Sequence, residues 1–223
     1  MKQFVAREHE IEPIPGLPGH LPAGEEILWQ GRPSARLVVK HVLKGTWIGA
    51  YFVILALWAA VAGVADGQPA GGILFSVAVL IGLAGLALGL LELFAWAVER
   101  TTLYTVTSER VVMRFGVALS MTLNLPFSQI DTVALGRLGG KTGTIAMALR
   151  KGYRLSWMVQ WPHVRGWRFA SPEPSLICLP DAEAVAAVLT LAYGQHASAR
   201  SGHPRLRVAA NSVDTVPHAV DAE

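Results

Sequence analysis

Two long apolar runs dominate the hydrophobic pattern of the chain, and the rest alternates between apolar and polar positions. Residues 46–65 have the sequence TWIGAYFVILALWAAVAGVA without a charge, and a second run covers residues 73–98. A helix of about 20 residues crosses the ~30 Å hydrocarbon core of a bilayer. Residues 66–72 between the runs contain Gly and Pro and allow only a tight return. The pattern therefore predicts a two-helix transmembrane hairpin.

The charges at the ends of the hairpin predict its orientation. Arg36, Lys40 and Lys44 precede the first span and Arg100 follows the second, whereas the turn carries only Asp66. Because basic residues concentrate on the cytoplasmic side, we expect a multi-pass protein with both termini in the cytoplasm. The N-terminal residues contain no apolar core of a cleavable signal peptide, so we expect the internal spans to direct targeting.

Small residues form a stripe on the second span, at Ala78, Gly82, Gly85 and Gly89. The GxxxG spacing of Gly85 and Gly89 permits close approach of another helix. Two alternatives remain open: the stripe packs against the first helix of the same chain, or it receives a helix of another molecule. Glu92 also has two interpretations, as a functional carboxylate within the membrane or as a side chain at the cytoplasmic interface.

After Arg100 the pattern changes to the alternation of β-strands. Strands are predicted at residues 102–107, 110–115, 119–125, 130–135, 144–149, 155–161 and 176–179. Asp181 is a suitable N-cap for a helix over residues 182–193, which has an apolar stripe at Val185, Val188, Leu189 and Ala192. The fold class is therefore an α+β membrane protein, with an antiparallel β-barrel or sandwich capped by a C-terminal helix.

Two sequence motifs resemble the signature of bacterial PH domains. The first is YTVTSERVV at residues 104–112 with Gly116, and the second is LPFSQI at residues 125–130. In that group a segment such as ILWQGRPS, residues 27–34, commonly precedes a membrane hairpin. The resemblance implies a PH-like β-barrel after the hairpin.

Three further stretches resemble a narrower group, the PuhB family of photosynthetic-complex assembly proteins in purple bacteria. They are IPGLPGHLPAGE at residues 14–25, WPHVRGWR at residues 161–168 and PEPSLICLPD at residues 172–181. The resemblance implies a non-enzymatic assembly factor for the photosynthetic reaction centre, with an indirect effect on the core light-harvesting complex. Its implied partners are reaction-centre subunits, and its implied location is the inner, intracytoplasmic photosynthetic membrane.

The pattern divides the chain into four segments. Residues 1–35 form a Pro/Gly-rich segment, residues 36–100 the hairpin, residues 101–195 the PH-like domain and residues 196–223 a disordered tail. The tail is assigned because it is polar and lacks periodicity. The formal charge of +3 comes from basic residues spread along the chain, which does not favour nucleic-acid binding.

No pattern for catalysis, cofactor binding or a metal site is present in the sequence. The run GRLGGKT at residues 136–142 has three residues between its first glycine and the Gly-Lys pair, whereas a phosphate loop needs four, so a hairpin turn is predicted. The seven histidines lack metal-ligand spacing, and the single Cys178 excludes an internal disulfide. We therefore expect a binding protein and not an enzyme.

Candidate partner-binding residues lie in two places besides Gly85 and Gly89. The loop at residues 161–168 contributes Trp161, His163, Arg165, Trp167 and Arg168, which are residue types enriched at interaction hot spots. The tryptophans have the alternative of capping the core, and the arginines that of contacting anionic lipid headgroups.

The proline-rich lead at residues 12–22 is the second place, and it adds Pro15 and Leu17 as a strap on the barrel or an arm for a partner. Membrane lipids and a second copy of the chain are further possible partners. The alternative function is that of a generic bacterial PH-domain membrane protein, which binds anionic lipid or another membrane complex.

Overall fold

The computed structural model describes residue 17 and residues 19–150, 156–166, 169–199 and 207–210. The chain is divided into two compact units. One comprises the described residues of Arg32–Thr102 and Phe115–Met121, and we call it the hairpin unit. The other comprises those of Met1–Gly31, Leu103–Arg114 and Thr122–Glu223, and we call it the sheet unit.

The hairpin unit contains the two predicted long helices. A short helix α1 (Ala35–Leu37) and a π-helical turn (Val38–Val42) precede α2 (Gly45–Ala65) and α3 (Ala70–Thr101). These bounds confirm the helices predicted at residues 46–65 and 73–98. Both helices are long and apolar enough to cross a membrane by length and composition, and almost none of the residues in their most apolar stretches are buried.

Two contacts define the antiparallel register of α2 and α3. A Cβ on Gly49 would lie 3.8 Å from Leu88 near one end, and a Cβ on Gly63 would lie 2.8 Å from Ile73 near the turn. The same register places exposed Glu92 level with Gly45, the first residue of α2. Glu92 is therefore at the end of the apolar pair and not within it, which favours the interfacial interpretation.

The last turns of α3 extend beyond the start of α2 and hold the residues that precede it. Glu99 Oε2 accepts a hydrogen bond of 3.1 Å from the backbone N–H of Ala35, which satisfies a donor at the N-terminus of α1. Val38, Ala95 and Val98 are buried at this end of the hairpin unit.

Eight strands form two four-stranded sheets in the described part of the chain. The strands are β1 (Ile27–Gly31), β2 (Leu103–Thr107), β3 (Arg110–Phe115), β4 (Met121–Pro126), β5 (Ile130–Gly139), β6 (Thr142–Leu149), β7 (Ser175–Leu179) and β8 (Arg207–Ala210). The first sheet has the order β1-β2-β3-β4 and the second β7-β6-β5-β8. The GRLGGKT run lies at the turn from β5 to β6, as the sequence predicts. Gly116 must be glycine, since it has a φ of +128° and a Cβ would collide with the carbonyl of Leu119.

Two predicted elements differ from the structure. The sequence predicts a strand at residues 155–161, but α4 (Trp157–Gln160) is helical, because a short apolar run does not distinguish helix from strand by its period. The sequence also predicts a disordered tail from residue 196, but α5 (Ala182–Ala199) continues through its start and β8 pairs in parallel with β5. The rest of the predicted tail, residues 200–206 and 211–223, lies outside the described residues. Backbone pairing with an open sheet edge needs no apolar periodicity, so the sequence pattern does not reveal it.

Helix α5 completes the core of the sheet unit. It contacts β1 of the first sheet and β5 and β6 of the second. Val185, Leu189 and Ala192 are buried, and Val188 is half-buried, so the predicted apolar stripe faces inward. The backbone N–H of Ala184 donates to Asp181 Oδ1 at 3.2 Å, which confirms the predicted N-cap.

Candidate functional site

The loop after α4, which carries most of the predicted site residues, is fixed to the segment before β7. The backbone N–H of His163 donates to the Gln160 carbonyl at 2.6 Å, and the N–H of Ser175 donates to the His163 carbonyl at 2.9 Å. The N–H of Arg165 donates to the Glu173 carbonyl at 2.9 Å. Backbone hydrogen bonds of this kind leave the loop with a defined conformation.

His163 points into the core and not towards a partner. Its Nδ1 lies 2.6 Å from the hydroxyl of Tyr104, and both side chains are buried. The Tyr104 hydroxyl accepts from the backbone N–H of Ile177 at 3.3 Å, so its own hydrogen is available for Nδ1. Nδ1 is then the acceptor and the ring hydrogen resides on Nε2. Burial lowers the pKa of His163 to about 3, which keeps the imidazole neutral.

Of the other predicted loop residues, one forms an ion pair, one is exposed and two lie outside the described residues. The Arg165 guanidinium donates to Glu173 Oε2 at 3.1 Å, so its charge is matched by a buried carboxylate. Trp161 is 43% exposed. Trp167 and Arg168 lie outside the described residues. The structure thus buries His163, whereas Trp161 is exposed, and partner binding by this loop stays a prediction.

Trp161 belongs to a larger exposed apolar surface, which we call the α4 face. Its other members are Met158, Val159 and Phe169, which are 82%, 49% and 58% exposed. The ring centroids of Phe169 and Trp157 lie 4.8 Å apart with the ring planes tilted, so the two ends of the loop are in contact. Exposed apolar side chains gathered in one place are typical of an interaction surface.

The glycine stripe of α3 faces away from α2. A Cβ built on Gly82, Gly85 or Gly89 meets no atom within 4 Å, whereas one on Gly63 meets Ile73. Packing of the stripe against the first helix of the same chain is therefore excluded. Gly85 and Gly89 present an open, narrow face on the outside of the hairpin unit.

The N-terminal segment is fastened to the sheet unit. Leu17 is buried, and Pro15 lies outside the described residues. The Glu25 N–H donates to the Pro22 carbonyl at 3.1 Å, and Gly24 in this turn has a φ of +86° that favours glycine. The prediction of a strap on the sheets agrees with buried Leu17 and this turn.

Glu25 explains the TSER turn between β2 and β3, which is part of the first motif in the sequence. Its carboxylate accepts hydrogen bonds from Arg110 Nε and Nη2 at 2.8 and 2.7 Å and from the Thr107 hydroxyl at 2.6 Å. Thr107 Oγ1 also accepts from the backbone N–H of Arg110 at 3.1 Å, which closes the turn. These motif residues therefore stabilise the fold.

A cleft of about 340 Å³, which the sequence does not indicate, lies beside this ion pair in the sheet unit. Its lining comprises Pro22, Ala23, Gly24, Glu25, Glu109, Arg110, Pro126, Ser128 and His196. His196 is buried, its Nδ1 lies 2.8 Å from Glu109 Oε2, and its ring meets the ring of Phe127 edge-on. The two acidic and two basic side chains among these lining residues thus pair with each other.

No group of three potential metal ligands lies together among the residues that the structure describes. Burial raises the pKa of the Cys178 thiol to about 12, so this side chain is not a nucleophile at neutral pH.

Comparison with known proteins gives a family and a relative similar in sequence. The family model described as "Bacterial PH domain" matches residues 44–192. A protein of Rhodobacter capsulatus named "Uncharacterized 23.7 kDa protein in puhA 5'region" is 38% identical over 189 residues, which cover 82% of this chain and 86% of that protein.

Comparison of structures gives a weak match to the hSac2 domain of human phosphoinositide phosphatase Sac2. It has 8% sequence identity and a TM-score of 0.31, and it covers 52% of this chain and 69% of that domain. At that TM-score the match carries no argument about fold or function.

Proposed function

Because the chain belongs to the bacterial PH-domain family, we propose that it is a membrane-embedded assembly factor for the photosynthetic reaction centre, acting by protein–protein binding and not as an enzyme. The observation that carries this proposal is the 38% identity to the Rhodobacter capsulatus protein of the puhA 5' region, which extends over most of both chains. The position of that relative suggests a role related to photosynthesis. The reaction-centre role follows from the PuhB-like motifs at residues 14–25, 161–168 and 172–181.

We place α2 and α3 across the inner, intracytoplasmic membrane, with both termini in the cytoplasm. Two observations support this location. The 21 residues of α2 give a length of about 30 Å, which matches the hydrocarbon core, and the helices expose nearly all of their apolar side chains. Lys40, Lys44 and Arg100 lie at the open end of the hairpin, whereas Asp66 lies at its turn.

The glycine face of α3 is the part of the molecule best suited to contact membrane-spanning subunits. In lipid, helices associate through close packing of small residues, because burial of apolar surface gives no driving force there. Gly85 and Gly89 offer such a face without obstruction by α2. The partner in this proposal is a transmembrane helix of a reaction-centre subunit, with a second copy of the chain as the competing occupant.

Deletion of the gene in its photosynthetic host tests the role directly. The expected result is a reduced level of reaction centres, measured by the absorbance and photobleaching of isolated membranes, with a smaller and later loss of the core light-harvesting complex. Restoring the gene should restore both. Unchanged reaction-centre levels in the deletion strain would falsify the assembly role.

Topology is tested separately by reporter fusions. Fusions after Glu223 and at Gly67 should report the cytoplasm and the periplasm, respectively. A periplasmic signal from Glu223 would contradict the proposed topology. If topology holds but reaction-centre levels do not change, the family match favours the alternative of a generic bacterial PH-domain protein that binds anionic lipid or another membrane complex.

A further inference from the structure

We propose that the α4 face of the sheet unit, Met158, Val159, Trp161 and Phe169, docks on the surface of an anionic lipid bilayer. This binding site is separate from the helices of the hairpin and from the glycine face. All four side chains are exposed, and Met158 is among the most exposed large apolar residues of the chain at 82%. The docking is a property of this chain and does not depend on a reaction centre.

The charge of the sequence segment that contains this face favours lipid over a protein partner. Residues 132–172 contain none of the 16 Asp and Glu residues of the chain. The same stretch contains seven of its 19 Lys and Arg residues, namely Arg137, Lys141, Arg150, Lys151, Arg154, Arg165 and Arg168. Arg137 and Arg165 are discounted, since the carboxylates of Glu183 and Glu173 already pair with them. A sequence segment that carries charge of one sign only matches the uniform negative charge of a membrane surface.

The side chains of the face suit the boundary between headgroups and acyl chains. Tryptophan is enriched at that depth, and phenylalanine and aliphatic side chains gain free energy when they leave water. Basic residues near an anionic surface strengthen binding electrostatically. The combination of a few inserted apolar groups and the positive charges of the same sequence segment gives reversible binding that requires both contributions.

The scaffold below the face reduces the entropic cost of docking. His163 is buried against Tyr104, and the backbone of the loop is tied to the residues before β7. Residues 158–161 are therefore held in one conformation before they meet a surface, and less conformational freedom is lost on binding.

A local fluorescent probe on the full-length chain tests the proposal. Met158→Cys is labelled with an environment-sensitive NBD group, and the native Cys178 is buried and does not compete. The matched control is Leu191→Cys on α5, which is 67% exposed and belongs to the same unit. Each labelled protein is reconstituted in lipid nanodiscs of phosphatidylcholine alone and of phosphatidylcholine with phosphatidylglycerol.

The expected result is a blue shift and a severalfold intensity rise of the Met158 probe in the anionic nanodiscs, with quenching by doxyl-labelled lipid. The Leu191 probe should show neither. Replacing Trp161 and Phe169 together with serine should reduce the response, and a far-ultraviolet circular dichroism spectrum equal to that of the parent will show that the fold is intact.

Three results would overturn the proposal. They are a Met158 probe that behaves like the Leu191 probe, an equal response in both lipid compositions, or a response only when acidic membrane proteins are added. The last result would assign the face to a protein partner. None of them depends on reaction-centre levels in the deletion strain, so failure of this proposal and failure of the assembly role are distinguishable.

Discussion

Arg110 and Glu25 are 85 residues apart in the chain and form a two-point ion pair, with N–O distances of 2.8 and 2.7 Å. The carboxylate is almost completely buried, and the guanidinium is mostly so. Removal of one partner leaves a buried charge without compensation, whereas removal of both does not. The pair therefore fastens the N-terminal segment to the β2–β3 turn. Substitution of Arg110 alone should destabilise the fold more than substitution of both residues together.

We expect Arg110→Met to lower the free energy of unfolding of the sheet unit by about 3–5 kcal/mol. The double variant Glu25→Gln with Arg110→Met should recover a large part of this loss. Urea unfolding in mild detergent, monitored by circular dichroism in the β region, measures the free energy of unfolding of both variants. Arg137→Met is the control, since its pair with Glu183 is exposed and worth less than about 1 kcal/mol. An equal loss of unfolding free energy for Arg110→Met and Arg137→Met would contradict this account.

The buried His163 should make stability dependent on pH on the acid side of neutrality. Its pKa is about 3 in the folded protein and near 6.5 when unfolded, so between these values only the unfolded chain binds the proton. The contribution of the neutral imidazole is complete above pH 6.5 and is lost as pH falls towards 3, at up to roughly 1.4 kcal/mol per pH unit.

Carboxyl groups titrate in part of the same pH range, so the effect of His163 has to be measured as a difference in stability between the native chain and a variant that lacks the imidazole. The free energy of unfolding of the native chain minus that of His163→Asn should rise with pH between about 3 and 6.5. A difference that stays flat across this range would show that His163 does not remain neutral in the fold.

The Tyr104→Phe variant should destabilise the fold by about 1–3 kcal/mol, because Nδ1 of His163 then loses its hydrogen-bond donor.

A larger side chain should destabilise the helix pair at the glycine near the hairpin turn but not at the glycines of the α3 stripe. Gly63→Leu should weaken the packing of α2 and α3, since its Cβ would lie 2.8 Å from Ile73. Gly85→Leu with Gly89→Leu should leave the helix pair as stable as before, because no atom of the described residues lies within 4 Å of either Cβ. Thermal unfolding in detergent compares the two.

In the host, Gly85→Leu with Gly89→Leu should lower reaction-centre levels despite normal amounts of the protein. Immunoblots of isolated membranes supply the amount, and photobleaching supplies the reaction-centre level. Normal reaction centres with this variant would remove the glycine face from the proposed binding surface without affecting the deletion test.

Cys178 should be chemically silent in the folded chain. It is completely buried, and burial raises the pKa of its thiol to about 12, so almost no thiolate exists at neutral pH. Reaction with a maleimide should occur only after addition of denaturant, as followed by mass spectrometry. Met158→Cys provides the reactive control in the same chain. Rapid labelling of native Cys178 would indicate local opening of β7.

The helices and strands that are defined by one continuous stretch of the chain were predictable from sequence. The hairpin helices follow from runs of about 20 or more apolar residues, and β2, β3, β5 and β6 follow from alternation bounded by turns. The helix α5 follows from its stripe and from the Asp181 cap, although it continues to Ala199. In each case one local stretch contains the whole signal.

Features that depend on a distant partner were not predictable. Strand β1 pairs with β2, about 75 residues later in sequence, and nothing in ILWQG alone announces that pairing. The partner of His163 is Tyr104, on another strand, so the sequence did not distinguish a surface imidazole from a buried one. The outward direction of Gly85 and Gly89 likewise depends on which side α2 occupies.

Strand β8 occupies the side of β5 opposite to β6 and pairs there with backbone donors and acceptors that a neighbouring molecule could otherwise reach. Such side-by-side pairing between molecules is a common beginning of aggregation. A shortened chain that ends at Ala199 would lose this cover. The C-terminal residues therefore shorten the free edge of this sheet, since β8 has four residues and β5 has ten.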